Sequence, residues 1–298
     1  MRTKRLSQTA VSYAFLAPSL VILAAFAFYP IGKGLFLSLH TQPLFGEPTW
    51  VGFANFRELV SRDEIFHLAV WNSIRYLLVV PVIAALALGL ALLVEPALPA
   101  MGLFRALLYI PVVTTMVVVG LTFQFIYRED DGLLNSLLQG AGVIDEPIHW
   151  LTSLKLALYS VMAVTTWKGV GYYMVIFLAG LRAIPPQQSE AARIDGANAW
   201  QVIWHIKLPA LRPTLQLVCI ISAVAALQVF EEIYIMTRGR PLHSSSTVVH
   251  LIWETALDRN EGRGDMGYAS AMGVLLFGLL VAFTASALWV TRRAEERA

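Results

Sequence analysis

The sequence predicts an all-α membrane protein of six spanning helices. Three observations carry this. Of 298 residues, 57% are hydrophobic and 14% charged, where a soluble domain carries about a quarter charged. The apolar residues fall in six runs, each long enough for the ~20 residues that cross a bilayer. Those runs are continuous rather than alternating, and in lipid a helix satisfies every backbone polar group within its own segment.

The first run covers about 12–39, with Pro18 and Pro30 expected to bend it. It follows Met1-Arg2-Thr3-Lys4-Arg5. It is too long for a signal peptide and lacks a clear small-residue cleavage site, so it reads as a first span. The second covers about 69–94 and ends at Glu95-Pro96, and the third covers about 104–127 with Pro111 near its start. The fourth, fifth and sixth cover about 154–181, 209–236 and 268–290. The loops at 40–67, 128–153 and 237–267 are long enough for short surface helices. Trp50, Trp150 and Trp253 near their ends read as interfacial anchors. The expected organisation is a tail, first span and outer loop over 1–67, a five-span core over 68–292 and a tail over 293–298.

Positive charge sets the orientation. Arg2, Lys4, Arg5, Arg105, Arg182, Arg193, Lys207, Arg212, Arg292, Arg293 and Arg297 fall on one side, which reads as cytoplasmic and holds both termini. The opposite loops hold Arg57, Arg62, Arg128, Arg238, Arg240, Arg259 and Arg263. They also hold Asp258, Glu261 and many other acids. A net charge of +2 and no basic block with interleaved aromatics point away from nucleic acid. The single Cys219 lies in an apolar run and reads as packing, with no disulfide framework. None of Lys4, Lys33, Lys155, Lys168 and Lys207 precedes Ser or Thr, so no phosphate-cradling P-loop is present. No catalytic spacing appears, and the six histidines form no metal-ligand cluster.

Between the fourth and fifth runs lies a short polar stretch. Pro185-Pro186 closes the run before it. Glu190-Ala191-Ala192-Arg193-Ile194-Asp195-Gly196-Ala197 follows, then ten residues, Leu208-Pro209 and Pro213. The alanines favour helix, and Asp195-Gly196 is a break, since glycine turns at little steric cost. Ile194, Ala197, Ile203 and Ile206 offer an apolar face, and Pro209 suits the first turn of the next span. The physical reading is a rigid surface knuckle whose small residues allow close approach by a partner.

This stretch resembles the EAA loop of binding-protein-dependent ABC importer permeases. The resemblance extends over nearly the whole chain, to the carbohydrate-type permeases for maltose, lactose, multiple sugars and glycerol 3-phosphate. It is carried further by 104–111, Gly132-Leu133-Leu134-Asn135, 167–174, 181–185 and 266–271. It implies six spans of the maltose-permease type with a cytoplasmic coupling helix in the loop 186–208. It implies coupling to a separate ATPase through Glu190, Ala191, Ala192, Asp195, Gly196, Ala197, Leu208 and Pro209. The implied assembly pairs this chain with a second permease, two ATPase subunits that hold ATP and magnesium, and an extracytoplasmic solute-binding protein. The implied setting is the cytoplasmic membrane of a bacterium or archaeon, with lipid around the spans. No cofactor or metal is expected on the chain itself, and no enzymatic activity.

Polar residues within spans mark the expected solute path. Thr114, Thr115 and Gln124 lie in the third run, Thr165 to Tyr173 in the fourth, and Ser222 and Gln228 in the fifth. Gly169 and Gly171 would loosen the helix or allow close approach. Aromatic rings beside hydroxyls and amides suit a sugar. Alignment to the maltose permease puts contacts near Val112 and Met116, on Thr165, Lys168 and Gly169, and on Ser222 and Ala226. Thr115, Tyr172 and Gln228 complete the candidate set. Several of these differ from the maltose protein's tyrosine, serine and asparagine, which weighs against maltose itself. Glu231 and Glu232, at the outer end of the fifth run, read as interfacial rather than path-lining. Other readings are a polar solute such as glycerol 3-phosphate, met by Lys168 or Arg240, and an ion-coupled secondary transporter. The latter leaves the motif at 190–209 unexplained.

Overall fold

A computed structural model describes residues 2–43, 46–96, 100–257 and 264–295. Asp258, Arg259, Glu261, Arg263 and Arg297, used above for orientation, lie outside the described residues. The chain begins with α1 (Arg2–Leu23), a π-helical turn (Ala24–Phe28) and α2 (Tyr29–Ser38). The widened turn sits just before Pro30, whose ring crowds the carbonyl four residues back and which lacks an N–H. A short hairpin, β1 (His40–Thr41) and β2 (Thr49–Trp50), leads to α3 (Ala54–Ser61).

Next come α4 (Glu64–Tyr76) and α5 (Val79–Val94), which read together as one span of 31 residues. They part at Leu77-Leu78, four residues before Pro81, where the helix tightens to i→i+3 bonds such as Leu77 N–H to the Ile74 carbonyl (3.1 Å). The third run is α6 (Met101–Val113) and α7 (Met116–Ile126), bent by 92°. Thr114 and Thr115 are both extended there, and the Thr114 hydroxyl donates to the Ile110 carbonyl (3.0 Å), closing α6. α8 (Leu133–Gly140) lies in the following loop, and α9 (Ala157–Arg182) is the unbroken fourth span.

The connecting loop folds as α10 (Pro186–Ile194), α11 (Ala199–Val202), a π-helical turn (Ile203–Lys207) and α12 (Leu208–Ala210). α13 (Arg212–Leu227) then departs at 65°, with Pro213 in its first turn. α14 (Glu231–Met236), α15 (Val248–Leu257) and α16 (Met266–Glu295) complete the described chain. Among the described residues four helices thus meet the requirements for a span outright, and up to six do if each bent pair counts as one span.

The residues group into two units, 1–63 with 252–278 and 64–251 with 279–298. In the first, Asp265 is the organising group. Its carboxylate accepts the Thr41 hydroxyl, the Gln42 N–H (2.9 Å) and the N–H groups of Gly267 (2.8 Å) and Tyr268 (3.1 Å). It thereby ties the hairpin to the N-terminus of α16, where a negative charge is favoured. The apolar side chains of 13–36 face outward, as a lipid-facing helix requires.

In the second unit α9 is the central helix. It buries Val161, Val164, Met174 and Phe177 completely or nearly so against α5, α6 and α13. Small residues bring the helices close: a Cβ on Gly171 would strike the Leu108 carbonyl oxygen, and one on Gly180 would lie 2.6 Å from Thr214 Oγ1. Trp150, expected as an interfacial anchor, instead stacks on Tyr127 (5.7 Å) and donates to Asn135 Oδ1 (2.9 Å).

Candidate functional site

Two features of the second unit stand out: the knuckle at 186–208 and a cavity along α9. α10 buries none of its residues. Its C-terminus closes with paired bonds, Ala197 N–H to the Ala192 carbonyl (2.9 Å) and Gly196 N–H to the Arg193 carbonyl (3.1 Å). That arrangement needs a left-handed residue between them, and Gly196 supplies it at φ 88°. Asn198 and Gln201 then form a reciprocal capping box (2.9 and 2.8 Å) that starts α11. α10 and its turn are therefore stiff although they stand clear of the core, while Val202 of α11 is buried. Glu190, Ala191, Asp195, Gly196 and Pro209 are exposed, while Ala192, Ala197 and Leu208 are half-buried. Its apolar surface is larger than the sequence implied: Ile194 is 87% exposed, Trp200 70% and Trp204 61%.

The cavity measures about 520 Å³. Thr165, Lys168, Gly169, Tyr172 and Tyr173 line it from α9, with Ser222, Ala225 and Ala226 from α13. Tyr76, Val79, Ile83 and Val112 close it from α4, α5 and α6. The turn Gln228–Phe230 and Glu231 and Glu232 complete the wall. Seven of the residues expected on the solute path thus converge: Thr165, Lys168, Gly169, Tyr172, Ser222, Ala226 and Gln228. Thr115 and Met116 do not line this cavity. Met116 is buried in the core, and the 92° break at Thr114-Thr115 turns α7 away from the direction of α6. Val112, one turn earlier and itself near an expected contact, does line it. Glu231 and Glu232 were expected at the interface and instead line the cavity. The helix stops at Gln228, Phe230 leaves helical geometry (φ −138°, ψ −57°), and α14 restarts at Glu231.

Several hydroxyls bond locally. The Ser222 hydroxyl donates to the Val218 carbonyl (2.7 Å) and that of Thr166 to the Met162 carbonyl (2.8 Å). Thr165 donates to the Val161 carbonyl (3.2 Å), leaving its oxygen to accept from the Tyr76 hydroxyl (2.5 Å). Tyr76 is fully buried and was not among the expected residues. Its placement depends on the break that Pro81 imposes, a signal present in the sequence. Gln124 is committed elsewhere, donating to the Ile235 (2.6 Å) and Met236 (3.2 Å) carbonyls and so anchoring α14 to α7.

The loop that follows α14 is tied down by hydrogen bonds. Asn72 donates to the carbonyls of Ser244 (3.0 Å), Ser246 (3.0 Å) and His243 (3.4 Å), and Ser73 accepts from the Val248 N–H (3.1 Å). Thr247 donates to the Val229 carbonyl (2.9 Å). The Arg240–Pro241 bond is cis, and Arg240 is exposed.

Comparison with known proteins agrees with this architecture. Residues 97–296 match the family described as binding-protein-dependent transport system inner membrane component. The chain is 33% identical over 278 residues to the probable ABC transporter permease protein YurN of Bacillus subtilis, covering 92% of this chain and 93% of that one. It is 30% identical to the arabinooligosaccharides transport system permease protein AraP of the same organism, covering 91% and 85%. Its fold matches a chain in the crystal structure of a bacterial alginate ABC transporter in complex with an alginate pentasaccharide-bound periplasmic protein. The TM-score there is 0.84, at 22% identity, over 98% of this chain and 97% of that one. With the spans, the exposed knuckle and the cavity, these matches place the chain in the family of binding-protein-dependent transport system inner membrane components, as a multi-pass ABC importer permease.

Proposed function

We propose that this permease carries a sugar or oligosaccharide through the cavity along α9. The observation that carries the reading is the lining itself. Tyr172 and Tyr173, set edge to face at 5.1 Å, stand beside Lys168, Gln228 and Glu232. Ring faces stack on the C–H faces of a sugar while amide and charged groups bond its hydroxyls. AraP, a relative over nearly the whole length, carries arabinooligosaccharides by its name. Glu231 and Glu232 share the lining with Lys168, so the wall is not the purely basic one that an anionic solute such as glycerol 3-phosphate calls for.

The loop 186–208 is the docking element for a separate ATPase, which holds the ATP and magnesium. Glu190 provides charge, Ala191 and Ala192 allow close approach, and the Gly196 turn fixes the angle. The working assembly is this chain, a second permease and two ATPase subunits in a bacterial or archaeal cytoplasmic membrane. Both termini and the knuckle face the cytoplasm, and a solute-binding protein delivers from the other side. Alternating access follows: closure of the ATPases moves the knuckle, and the spans open outward.

Mild-detergent purification of the tagged chain from its native membrane, followed by uptake assays in proteoliposomes with labelled arabino-oligosaccharides and other neutral oligosaccharides, tests this. Co-purification of an ATPase and a second permease, with ATP-dependent uptake of one such sugar, is the expected result. Recovery of the chain without an ATPase would overturn the coupling reading, and an assembled complex that carries only non-saccharide solutes would overturn the sugar.

A further inference from the structure

Covalent continuity links the knuckle to α9 on one side, through residues 183–185, and to α12 and α13 on the other, since Lys207 is followed directly by Leu208. Spans two and three have no such link, yet their cytoplasmic ends are held to it. Lys207, the last residue of the π-helical turn, forms an ion pair with Glu95, the C-cap of α5. The two side chains are only 17% and 25% exposed, so water and salt screen them less than a surface pair. Arg105 of α6 completes the cluster. Its Nε (3.1 Å) and Nη2 reach the Val94 carbonyl, and Nη2 also reaches the Glu95 carbonyl (3.4 Å). The guanidinium thus satisfies end-of-helix carbonyls of α5 and meets the negative end of its dipole. Glu95 is held from two directions, by its backbone toward α6 and by its carboxylate toward the knuckle.

We propose that the Glu95–Lys207 pair, backed by Arg105, is the joint that carries displacement of the coupling loop to spans two and three. The inference rests on the coupling role proposed for 186–208 and adds the residues through which motion leaves it. A rigid helical segment moves as a body, and a pair at its exit transmits that movement only while both charges are present. Lys207 and Glu95 are positioning residues in this scheme: they touch neither solute nor ATP.

The test uses the assembled complex with its ATPase and companion permease, in a Cys219→Ala background. Spin labels are placed at Leu93, 69% exposed on α5, and at Trp204, 61% exposed on the π-helical turn. Distances are measured without nucleotide and after trapping with ATP and vanadate. With the pair intact, the distance between labels stays fixed on trapping. In Lys207→Met and Glu95→Gln it shifts by about 2 Å or more, the size of helix shifts in switching transitions. The exchange Glu95→Lys with Lys207→Glu restores the fixed distance. A distance that stays fixed in the single variants overturns the proposal. If the single variants do not assemble, the exchanged pair decides: an unassembled complex or a shifting distance there overturns it as well. Lack of an ATPase in the unsubstituted complex instead removes the coupling role itself.

Discussion

Gly171 of α9 lies directly against the carbonyl oxygen of Leu108 in α6, so close that a Cβ would overlap it. Backbone, unlike a flexible side chain, has no rotamer by which to withdraw. Gly171→Ala therefore separates α6 from α9 and, with them, Val112 from Lys168 across the cavity. Overpacking of this kind costs about 2 kcal/mol. Thermal unfolding in detergent checks it. The expected loss is larger than for Gly169→Ala, where a Cβ meets only side chains, the end of Ile83 at 3.2 Å and the Tyr173 ring at 3.7 Å.

Gly196 is a different case. A Cβ there meets nothing within 4 Å, and only the left-handed backbone resists substitution. Gly196→Ala is expected to cost about 1 kcal/mol locally, and Gly196→Asn less, because asparagine tolerates that conformation. Gly196→Val, bulky and β-branched, fits the turn worst and is expected to leave membrane insertion intact while uncoupling ATP hydrolysis from transport. ATPase and uptake rates of the purified complexes measure the split.

Asn72 is fully buried and its amide donates to three loop carbonyls. Asn72→Ala leaves those carbonyls without that donor, an expected loss of ~3 kcal/mol. Asn72→Asp is expected to be worse, since it replaces the donor with a charge facing the same oxygens. Proteolysis of the loop at 238–247 in intact vesicles reports the loosening.

The carboxyl of Asp265 titrates below the usual carboxylate range. Burial alone would raise it, but bonds from the Thr41 hydroxyl and the N–H groups of Gln42, Tyr268 and Gly267 outweigh that effect. A depressed folded pKa gives stability that is present above the unfolded value, about 3.9, and lost as pH falls through the folded value. The gap in unfolding midpoint between the parent and Asp265→Asn is therefore expected to be full at pH 5 to 7 and to shrink below about pH 4. A gap that does not change with pH would show that the charge contributes nothing.

Uptake separates residues that line the cavity from residues that do not. Lys168→Met and Gln228→Ala are each expected to lower sugar uptake about tenfold, the equivalent of one hydrogen bond to a charged or buried partner. Thr115→Ala is expected to leave uptake unchanged. Equal losses at all three positions would place the path elsewhere.

The six apolar runs, the proline positions and the Glu190–Pro209 pattern are local signals, each complete within a window of about 20 residues. They determined the class of protein, the apolar runs, the knuckle and seven of the seventeen residues that line the cavity. Pro81, which the reading of the second run passed over, is also a local signal, because the missing N–H and the clash with the carbonyl four residues back act within one turn. What the sequence left open depends on direction after a break. The 92° bend turns α7 from the axis of α6, with Thr115 and Met116 outside the cavity, and the unwinding at Gln228–Phe230 put Glu231 and Glu232 on its wall. The remainder depends on meetings between distant residues. Tyr76 reaches Thr165 across 89 positions and Lys207 reaches Glu95 across 112. No local pattern specifies such a pair. Its energy exists only once α5, α6 and α9 have packed and excluded enough water for charge and hydroxyl to find each other.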